Sequence, residues 1–410
     1  MPTLVKNIGL LQTPIGVSPA KGAAQGENRK LKNAWVLIEN GVISAVGDMG
    51  REPECPADTR VVNAGGALVT PGFVDCHTHL VFGGWRQHEV PLKLKGAGYL
   101  DILRAGGGIL STVKATRAMA EDALYARGMG FLNELLAQGV TAVEIKSGYG
   151  LDLETELKQL RVIKRLAQTH AATVIPTFLG AHAIPQEYAG RAEEYIDFVI
   201  ERVLPAVAKE GLAEFCDVFL EEAVFDVPQS RRLLERAREL GLGLKLHADE
   251  IADLGGSVLA GELMAVSAEH LIATGEAGMA ALAKGGVVAA LLPCTSLYLN
   301  KPFAKARDMI ARGVPVAVAT DFNPGSCPSL NMGLCVNMAY LKYRMTPEEI
   351  LTAVTLNAAC AVGRGSALGT LEPGKRGDLV IWNADDMETL CYRMGSNLAS
   401  VVITGGDVIQ

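Results

Sequence analysis

Two histidines, His77 and His79, lie two residues apart at the end of the apolar segment Gly72–Cys76. That segment is typical of a short β-strand, and side chains two apart on a strand point in the same direction. We therefore expect the two imidazoles to converge at the carboxyl end of the strand. Neutral imidazole binds zinc and similar ions at about 2.0–2.1 Å, so the pair indicates half of a metal coordination sphere.

Three further residues with metal-binding or acid–base side chains each end an apolar segment of their own. They are His247, His270 and Asp321. Taken singly, an isolated His-x-His pair is more simply interpreted as two surface residues, and a lone strand histidine as a hydrogen-bonded core residue. Five such residues at the ends of predicted strands are hard to attribute to chance. Together they predict one shared metal site.

The elements that would position these residues alternate between short apolar segments and amphipathic helical segments from Gly72 to Phe322. Such alternation predicts parallel strands joined by right-handed crossovers, and eight strands favour a closed (β/α)₈ barrel with its functional residues at the strands' carboxyl ends. A doubly wound open sheet is the structural alternative. The predicted strands are Phe73–His77, Ala142–Lys146, Thr173–His182, Asp217–Val224, Leu244–His247, Ala265–His270, Val287–Leu292 and Pro315–Asp321. Helical patterns include Asp122–Ala137, Glu154–Gln168, Glu193–Lys209 and Ser230–Leu240.

The two ends of the chain have short β patterns instead. Residues 1–65 include a strong hairpin signal around Asn40-Gly41, and residues 364–410 contain further short strands with glycine-rich turns. Neither end is large enough to bury a good core alone. We expect one small composite β-sandwich domain built from both termini, with the barrel, residues 66–363, inserted between them. The predicted helices that lead back from the barrel are Leu330–Arg344 and Glu348–Val362.

Composition excludes several functional classes. Apolar residues make up 49% of the 410 residues and charged residues 20%, the balance of a globular enzyme. The net charge of −7 argues against a nucleic-acid or anionic-membrane partner. We find neither a secretory signal in residues 1–20 nor an apolar stretch of membrane-spanning length. Eight cysteines without a C-x-x-C spacing indicate reduced thiols in a cytoplasmic protein.

The His-x-His pair, the histidines ending the predicted fifth and sixth strands and the aspartate ending the eighth resemble the amidohydrolase superfamily over nearly the whole chain. The resemblance implies a metal-dependent hydrolase with a water completing the metal sphere. Binuclear members bridge two metals with a carboxylated lysine on strand four, whereas Cys216–Phe225 contains no lysine. We therefore expect one divalent or trivalent ion per chain, zinc or iron. The implied metal ligands are His77, His79, His247 and Asp321.

Three further segments resemble those members of the superfamily that hydrolyse the ring C–N bond of 4-imidazolone-5-propanoate to N-formimidoyl-L-glutamate in histidine degradation. They are Glu144–Gly150, Leu179–His182 and Thr320–Ser326. The resemblance implies a catalytic set of Glu250, His270 and Asp321. It also implies that the small-molecule substrate, which carries a carboxylate, is bound by Arg86, Tyr149, His182, Glu250, Asn323, Gly325 and Ser326.

Each catalytic side chain has a chemical reason to be in this set. Asp321, beside metal and water, can take the water proton, and His270 can polarise the ring carbonyl and stabilise the oxyanion formed on attack. Glu250 can exchange protons with ring nitrogens, although a solvated loop carboxylate is its alternative interpretation. Arg86 can bind the substrate carboxylate through two parallel hydrogen bonds, although a surface arginine is the simpler interpretation of that residue alone.

The connection after the first predicted strand, Leu80–Thr141, is unusually long. It contains Arg86, His88 and the run Gly106-Gly107-Gly108, which lacks the Gly-Lys-Ser/Thr ending of a phosphate loop. Long loops at the catalytic end of a barrel commonly bind substrate or close over it. We expect the glycines to form a flexible hinge.

Two other functions remain open at this stage. The His247-x-x-Glu250 arrangement also resembles metal-dependent deaminases of aminoheterocycles, which would release ammonia, whereas ring opening releases none. A catalytically silent scaffold on the same fold is less favoured because such proteins tend to lose metal ligands. The family resemblance also implies a homodimer.

Overall fold

The computed structural model describes residues 1–51, 53–96 and 107–409. Its strands are β1 Thr3–Thr13, β2 Arg29–Glu39, β3 Val42–Asp48, β4 Arg60–Asn63, β5 Leu68–Pro71, β6 Phe73–Asp75, β7 Val140–Lys146, β8 Thr173–Ala181, β9 Phe215–Leu220, β10 Gly243–Ala248, β11 Ser267–His270, β12 Val288–Leu291, β13 Val316–Val318, β14 Leu379–Trp382, β15 Ala399–Thr404 and β16 Asp407–Val408.

The helices are α1 Val90–Leu94, α2 Ile109–Ala118, α3 Glu121–Leu136, α4 Leu153–Thr169, α5 Ala192–Phe198, α6 Leu204–Glu210, α7 Val227–Glu239, α8 Gly256–Glu262, α9 Glu276–Gly285, α10 Pro293–Tyr298, α11 Ala306–Ala311, α12 Met332–Leu341, α13 Pro347–Val354, α14 Leu356–Ala361 and α15 Met387–Tyr392. A π-helical segment, Val199–Val203, joins α5 to α6. Of the predicted glycine hinge, Gly106 lies outside the described residues. Within the described ranges, no helix is long and apolar enough to cross a membrane.

The central architecture is a nearly closed barrel of eight parallel strands, β6 to β13 in sequence order, with helices between them. The predicted barrel is confirmed. Each of the eight predicted strands corresponds to an observed one, and the open doubly wound sheet is excluded. Among the residues that the structure describes, the first and last strands are bridged at their carboxyl ends, between Thr78 and Phe322. There the N–H of His79 donates to Phe322 O at 2.8 Å, and that of Asp321 to His77 O at 3.0 Å.

The second sheet combines both ends of the chain in the strand order β16-β15-β14-β5-β1-β2-β3, with β4 paired to β1. The predicted hairpin is confirmed: Glu39 pairs with Val42, and both Asn40 and Gly41 have the positive φ that a tight two-residue turn requires. The sheet also includes β5, which lies beyond residue 65 and so belongs to the segment that was predicted for the barrel. Its buried face is aliphatic, with Val5, Ile8, Leu11, Val36, Ile38, Ile43, Val69, Leu379, Ile381 and Ile403 in one cluster.

The two sheets are joined where the chain passes from β5 into β6. The N–H of Gly72 donates to Asp378 O at 3.1 Å, and Phe73 packs on Trp382 with ring centroids 4.8 Å apart. We call the second sheet the terminal sheet. It fixes the amino end of β6, the strand that is followed by His77 and His79 at its other end.

Candidate active site

The four predicted metal ligands converge at the carboxyl end of the barrel. The Nε2 atoms of His77 and His79 are 3.3 Å apart, and those of His79 and His247 are 3.4 Å apart. Asp321 Oδ1 lies 3.4 Å from His77 Nε2 and 3.5 Å from His79 Nε2. All four side chains are buried.

These distances fit donors around one metal ion, because donors about 2.0–2.1 Å from a common centre lie roughly 3–3.5 Å from one another. The donor set of three imidazoles and one carboxylate suits zinc and similar divalent ions. The groups His77, His79 and His247, and His77, His270 and Asp321, are each close enough to hold an ion. The set therefore fits a divalent metal ion.

The electrostatics of the ligands favour metal binding. Burial lowers the pKa of His77 and of His79, which keeps both imidazoles neutral at physiological pH. Burial alone would raise the pKa of Asp321, but the contacts with His77 and His79 outweigh it and hold the pKa of this carboxyl well below its usual range. The result is two neutral imidazoles, His77 and His79, beside one carboxylate, the protonation states in which these groups bind a metal.

His270 and Glu250 lie beside this set. The ring centroid of His270 is 5.6 Å from that of His77 and 5.3 Å from that of His247. Its Nε2 lies 3.6 Å from Glu250 Oε2. The backbone of His270 has a φ of 68°, which turns the chain sharply at the end of β11. The imidazole and the carboxylate therefore face each other across the edge of the metal site.

One cavity of about 470 Å³ contains this chemistry. Its lining includes most of the residues that sequence analysis assigned to metal, catalysis or substrate: His79, Arg86, Tyr149, His182, His247, Glu250, His270, Asp321, Asn323 and Ser326. Apolar side chains such as Phe219 and Leu299 complete its wall. A mostly apolar cavity with a few converging polar groups is the usual form of a small-molecule site.

Arg86 reaches the cavity from the long first connection. Its side chain is 16% exposed, and its Nε lies 3.3 Å from Glu89 Oε1. Gly325 is absent from the cavity lining but explains the position of the guanidinium, since a Cβ on Gly325 would lie 2.0 Å from Nη2 of Arg86. Only glycine leaves room for this approach. Gly325 therefore contacts Arg86 directly.

Tyr149 and His182 form the wall beside His79. The rings of His182 and His79 are stacked with centroids 4.9 Å apart, and Tyr149 is 6.0 Å from His79. Nδ1 of His182 is 3.0 Å from the carbonyl oxygen of Gly148. A carbonyl only accepts, so His182 carries its hydrogen on Nδ1 and presents Nε2 as an acceptor. Burial lowers the pKa of His182 well below its ordinary value, which keeps the ring neutral.

Asn323 organises the loop after β13. Its Oδ1 accepts from the backbone N–H of Gly325 at 2.8 Å and of Ser326 at 2.7 Å, and its Nδ2 donates to Asp321 O at 2.7 Å. The Ser326 hydroxyl is within 2.9 Å of the same amide. These bonds fix the loop that carries Asp321. Asn323 and Ser326 line the cavity, but the Asn323 amide is engaged within its own loop.

A model of the amidohydrolase family matches residues 68–409 of the chain. The chain belongs to the amidohydrolase family. Among curated proteins it is similar to an imidazolonepropionase from Alkaliphilus metalliredigens, at 49% identity over 410 residues that cover 99% of this chain and 97% of the relative. An imidazolonepropionase from Bacteroides thetaiotaomicron is 48% identical over 398 residues, 96% of this chain and 95% of the relative.

Solved structures with the same fold are more distant in sequence. An adenosine deaminase from Xanthomonas campestris with bound zinc superimposes with a TM-score of 0.70 at 22% identity and covers 99% of this chain and 92% of its own. Guanine deaminase from E. coli gives a TM-score of 0.75 at 16% identity, with 100% and 99% coverage. At these identities the likeness shows the shared barrel fold alone.

Several residues that position the site of this amidohydrolase were not identified from the sequence. The hydroxyl of Thr295 donates to Asp321 Oδ2 at 2.5 Å, which leaves Oδ1 facing the histidines. The buried carboxylate of Glu221 accepts from the backbone N–H of Ile251 at 2.7 Å and so fixes the loop that carries Glu250. Neither this helical threonine nor this loop glutamate has a sequence signal for such a role, because each partner lies far away in the chain.

A second group that sequence analysis missed is a layer of charges in the barrel interior of this amidohydrolase. We call it the ionic cluster; its members, all fully buried, are Glu144, Lys146, Asp217, Lys245 and Glu269. Lys146 is the last residue of β7. Burial alone would lower its pKa, but Asp217 and Glu144 outweigh this and raise the pKa of its ammonium. Burial raises the pKa of Glu269 to about 7.

Proposed function

We propose that this chain hydrolyses the ring C–N bond of 4-imidazolone-5-propanoate and forms N-formimidoyl-L-glutamate, a step of histidine degradation. The observation that carries the proposal is that a guanidinium, Arg86, lines the same cavity as the metal ligands His79, His247 and Asp321. A substrate that joins a hydrolysable ring to a carboxylate needs both. Relatives such as the imidazolonepropionase that is 49% identical over 99% of this chain support the same reaction.

The metal centre would consist of His77, His79, His247 and Asp321, with one ion per chain. We propose zinc or iron, since the donor types accept either. When bound, such an ion supplies a Lewis acid and lowers the pKa of a bound water towards 7. The rest of the chemistry belongs to the side chains of the chain.

Arg86 would orient the substrate. Its planar guanidinium can donate two parallel hydrogen bonds to the propionate carboxylate, which fixes the ring at a set distance from the anchor. Tyr149 and His182 would contact the substrate from the wall beside His79, where His182 Nε2 is an acceptor for a ring N–H. Binding at both ends would orient the ring carbonyl towards the catalytic groups.

Asp321 would accept a proton from the attacking water. Its low pKa keeps it ionised, and the hydrogen bond from Thr295 to Oδ2 holds the carboxylate in one orientation. The carbonyl carbon of the ring gains the hydroxyl of the water. His270 would donate to the carbonyl oxygen as negative charge develops there.

Glu250 would complete the proton balance. As the C–N bond breaks, the departing ring nitrogen takes the proton that Asp321 accepted from the water, and Glu250 would relay it to that nitrogen. Glu250 lies 3.6 Å from His270, so the acid and the oxyanion donor can act on neighbouring atoms of one ring. The products retain every atom of substrate and water, and no ammonia is released.

One experiment tests the proposal. The purified protein would be analysed for metal and then incubated with 4-imidazolone-5-propanoate, with loss of the imidazolone, formation of N-formimidoyl-L-glutamate and release of ammonia measured in parallel. We expect one metal equivalent per chain, turnover, and no ammonia. Two activity-linked metal equivalents would contradict the single-metal site. Ammonia release from an aminoheterocycle, with no action on the imidazolone, would favour the deaminase alternative.

A further inference from the structure

The ionic cluster lies directly beneath the metal ligands. Lys245 and His247 are two residues apart on β10, so both face the barrel interior, one layer apart. Glu144 and Lys146 have the same relation on β7. Bulky branched residues usually fill these interior layers of a (β/α)₈ barrel. Here the interior beside and below the metal ligands holds three carboxylates and two ammonium groups, all with 0% exposure.

Burying these ions costs stability unless they are closely paired. Each ion taken out of water loses several kcal/mol of hydration, and apolar replacements of a buried ion pair are often neutral or stabilising. The pairs are close: Lys146 Nζ is 3.0 Å from Glu144 Oε2, and Lys245 Nζ is 2.8 Å from Glu144 Oε1. Pairing explains how the cluster is tolerated. It does not explain why charges are there at all.

Asp217 connects this cluster to the metal site. Its Oδ2 lies 2.9 Å from Lys146 Nζ on one side and 2.9 Å from Nδ1 of His247 on the other. Its Oδ1 accepts from the backbone N–H of Val218 at 2.7 Å and from that of His247 at 3.1 Å. Asp217 thus contacts both the backbone and the ring of one metal ligand. Lys146 holds the carboxylate of Asp217 on the side away from His247.

This arrangement favours one of the two nitrogens of His247 as the carrier of its hydrogen. An ionised carboxylate 2.9 Å from Nδ1 favours a hydrogen rather than a lone pair on that nitrogen, which leaves the lone pair on Nε2. Nε2 is the atom that lies 3.4 Å from Nε2 of His79, at the metal position. A histidine whose other nitrogen donates to a carboxylate has its tautomer and ring orientation fixed for metal binding.

We propose that Asp217 is a positioning residue that fixes the tautomer and orientation of His247 and thereby sets how tightly the site binds its metal ion. This inference rests on the metal centre proposed above. Asp217 itself touches neither substrate nor reacting atoms. Its effect passes entirely through the imidazole of His247.

The sharpest test is Asp217→Asn. The amide has nearly the same size but can donate through Nδ2, which would favour His247 with its hydrogen on Nε2, the wrong tautomer for metal binding. The metal-free protein would be titrated with Co²⁺ against a competing chelator, and the visible Co²⁺ spectrum recorded. We expect binding to weaken about 10- to 100-fold, as for other residues that orient a metal ligand. The spectrum should change as well.

Asp378→Asn is the matched control. Asp378 is also a buried carboxylate, and its Oδ1 accepts from the N–H of Gly405 at 2.8 Å and lies 2.9 Å from Arg376 Nε. It lies where the terminal sheet meets the barrel, away from the metal ligands. This variant should lose stability but bind Co²⁺ with the affinity and spectrum of the natural protein. Natural affinity and spectrum in Asp217→Asn would overturn the proposal.

A second measurement covers the case in which Asp217→Asn does not fold. The ¹⁵N shifts of the histidine rings in the metal-free natural protein report each tautomer directly, and His247→Gln assigns the signal. We expect His247 with its hydrogen on Nδ1; a predominant Nε2–H form would overturn the proposal. Natural protein that binds Co²⁺ but does not hydrolyse 4-imidazolone-5-propanoate would refute the proposed function and leave the role of Asp217 intact.

Discussion

The barrel interior at its carboxyl end and the buried face of the terminal sheet are built from opposite kinds of residue. The sheet buries aliphatic side chains such as Val36, Ile38 and Ile381 in one cluster. The barrel end buries the proposed metal ligands, such as His77 and Asp321, with the ionic cluster beneath them. Aliphatic burial stabilises a fold by about 25 cal/mol per Å², whereas each buried ion opposes folding unless it is paired. The difference indicates that the barrel end serves function at some cost in stability, whereas the buried face of the terminal sheet stabilises the fold.

The largest effect on function is expected from the metal ligands. His77→Ala, His79→Ala and His247→Ala should each lose metal and activity together, because each change removes one imidazole donor from the site and leaves a gap in its place. Metal content and turnover measured on the same preparations would test this. His170→Ala is the matched control, since His170 lies outside the site and its Nε2 is 3.1 Å from Asn133 Oδ1. A ligand variant that keeps both metal and activity would remove that residue from the ligand set.

A smaller but still large effect is expected from His270→Ala. The loss of one oxyanion-stabilising donor lowers turnover by about 10²–10³ in other hydrolases. Metal content should stay close to natural, because His270 lies beside the four ligands. Glu250→Gln should also keep its metal while proton transfer slows. A normal rate with the metal intact in either variant would make that residue structural.

Arg86→Ala should have an intermediate effect. A hydrogen bond to a charged group contributes roughly 1.5–3 kcal/mol, which corresponds to about ten- to a hundredfold in substrate capture. The expected change is in kcat/KM, with metal content unchanged, and Arg86→Lys should recover only part of it. An imidazolone without the propionate should be a poor substrate of the natural protein and should lose little more in the variant. Equal discrimination by both proteins would remove Arg86 as the anchor.

The smallest effect on activity is expected from Ile381→Val in the terminal sheet. Ile381 is 3% exposed, and the loss of one buried methylene there should lower the free energy of unfolding by about 0.5–1.5 kcal/mol. Chemical denaturation would measure this. The kinetic constants at a temperature well below unfolding should not change. If turnover fell with stability, the separation between the two regions would be wrong.

Strand number and the order of the site residues were predictable because each depends on local pattern. The strand ends were not. The predicted strand Asp217–Val224 ends at Leu220, where the buried carboxylate of Glu221 binds the neighbouring loop and Ala223 takes a φ of 61°. The predicted helix Glu348–Val362 is divided at Thr355, which has φ −128° and ψ −88°. Both interruptions arise from tertiary packing, which periodicity does not report.

The ionic cluster could not be predicted from the sequence. Lys146 and Lys245 each lie in a short strand whose apolar neighbours predict burial, while a lysine by itself predicts exposure. The conflict is resolved only when Glu144, Asp217 and Glu269 are brought alongside from three different strands. The proposed metal ligands were easier to predict because two histidines two residues apart at the end of a strand point in the same direction.

The junction of β6 with β13 has a consequence for the chain as a polymer. His77 and His79 stay neighbours when the chain unfolds, but His247 is separated from His79 by 168 residues and Asp321 is farther still. An unfolded chain that assembled all four donors would have to close loops of this length, at a loop-closure cost of about 5 kcal/mol. In the folded barrel these loops are already closed, so no further loop-closure free energy opposes binding of the ion. A bound ion therefore crosslinks the native chain at little cost in conformational entropy. Mutations that loosen this junction should weaken metal binding before they unfold the protein.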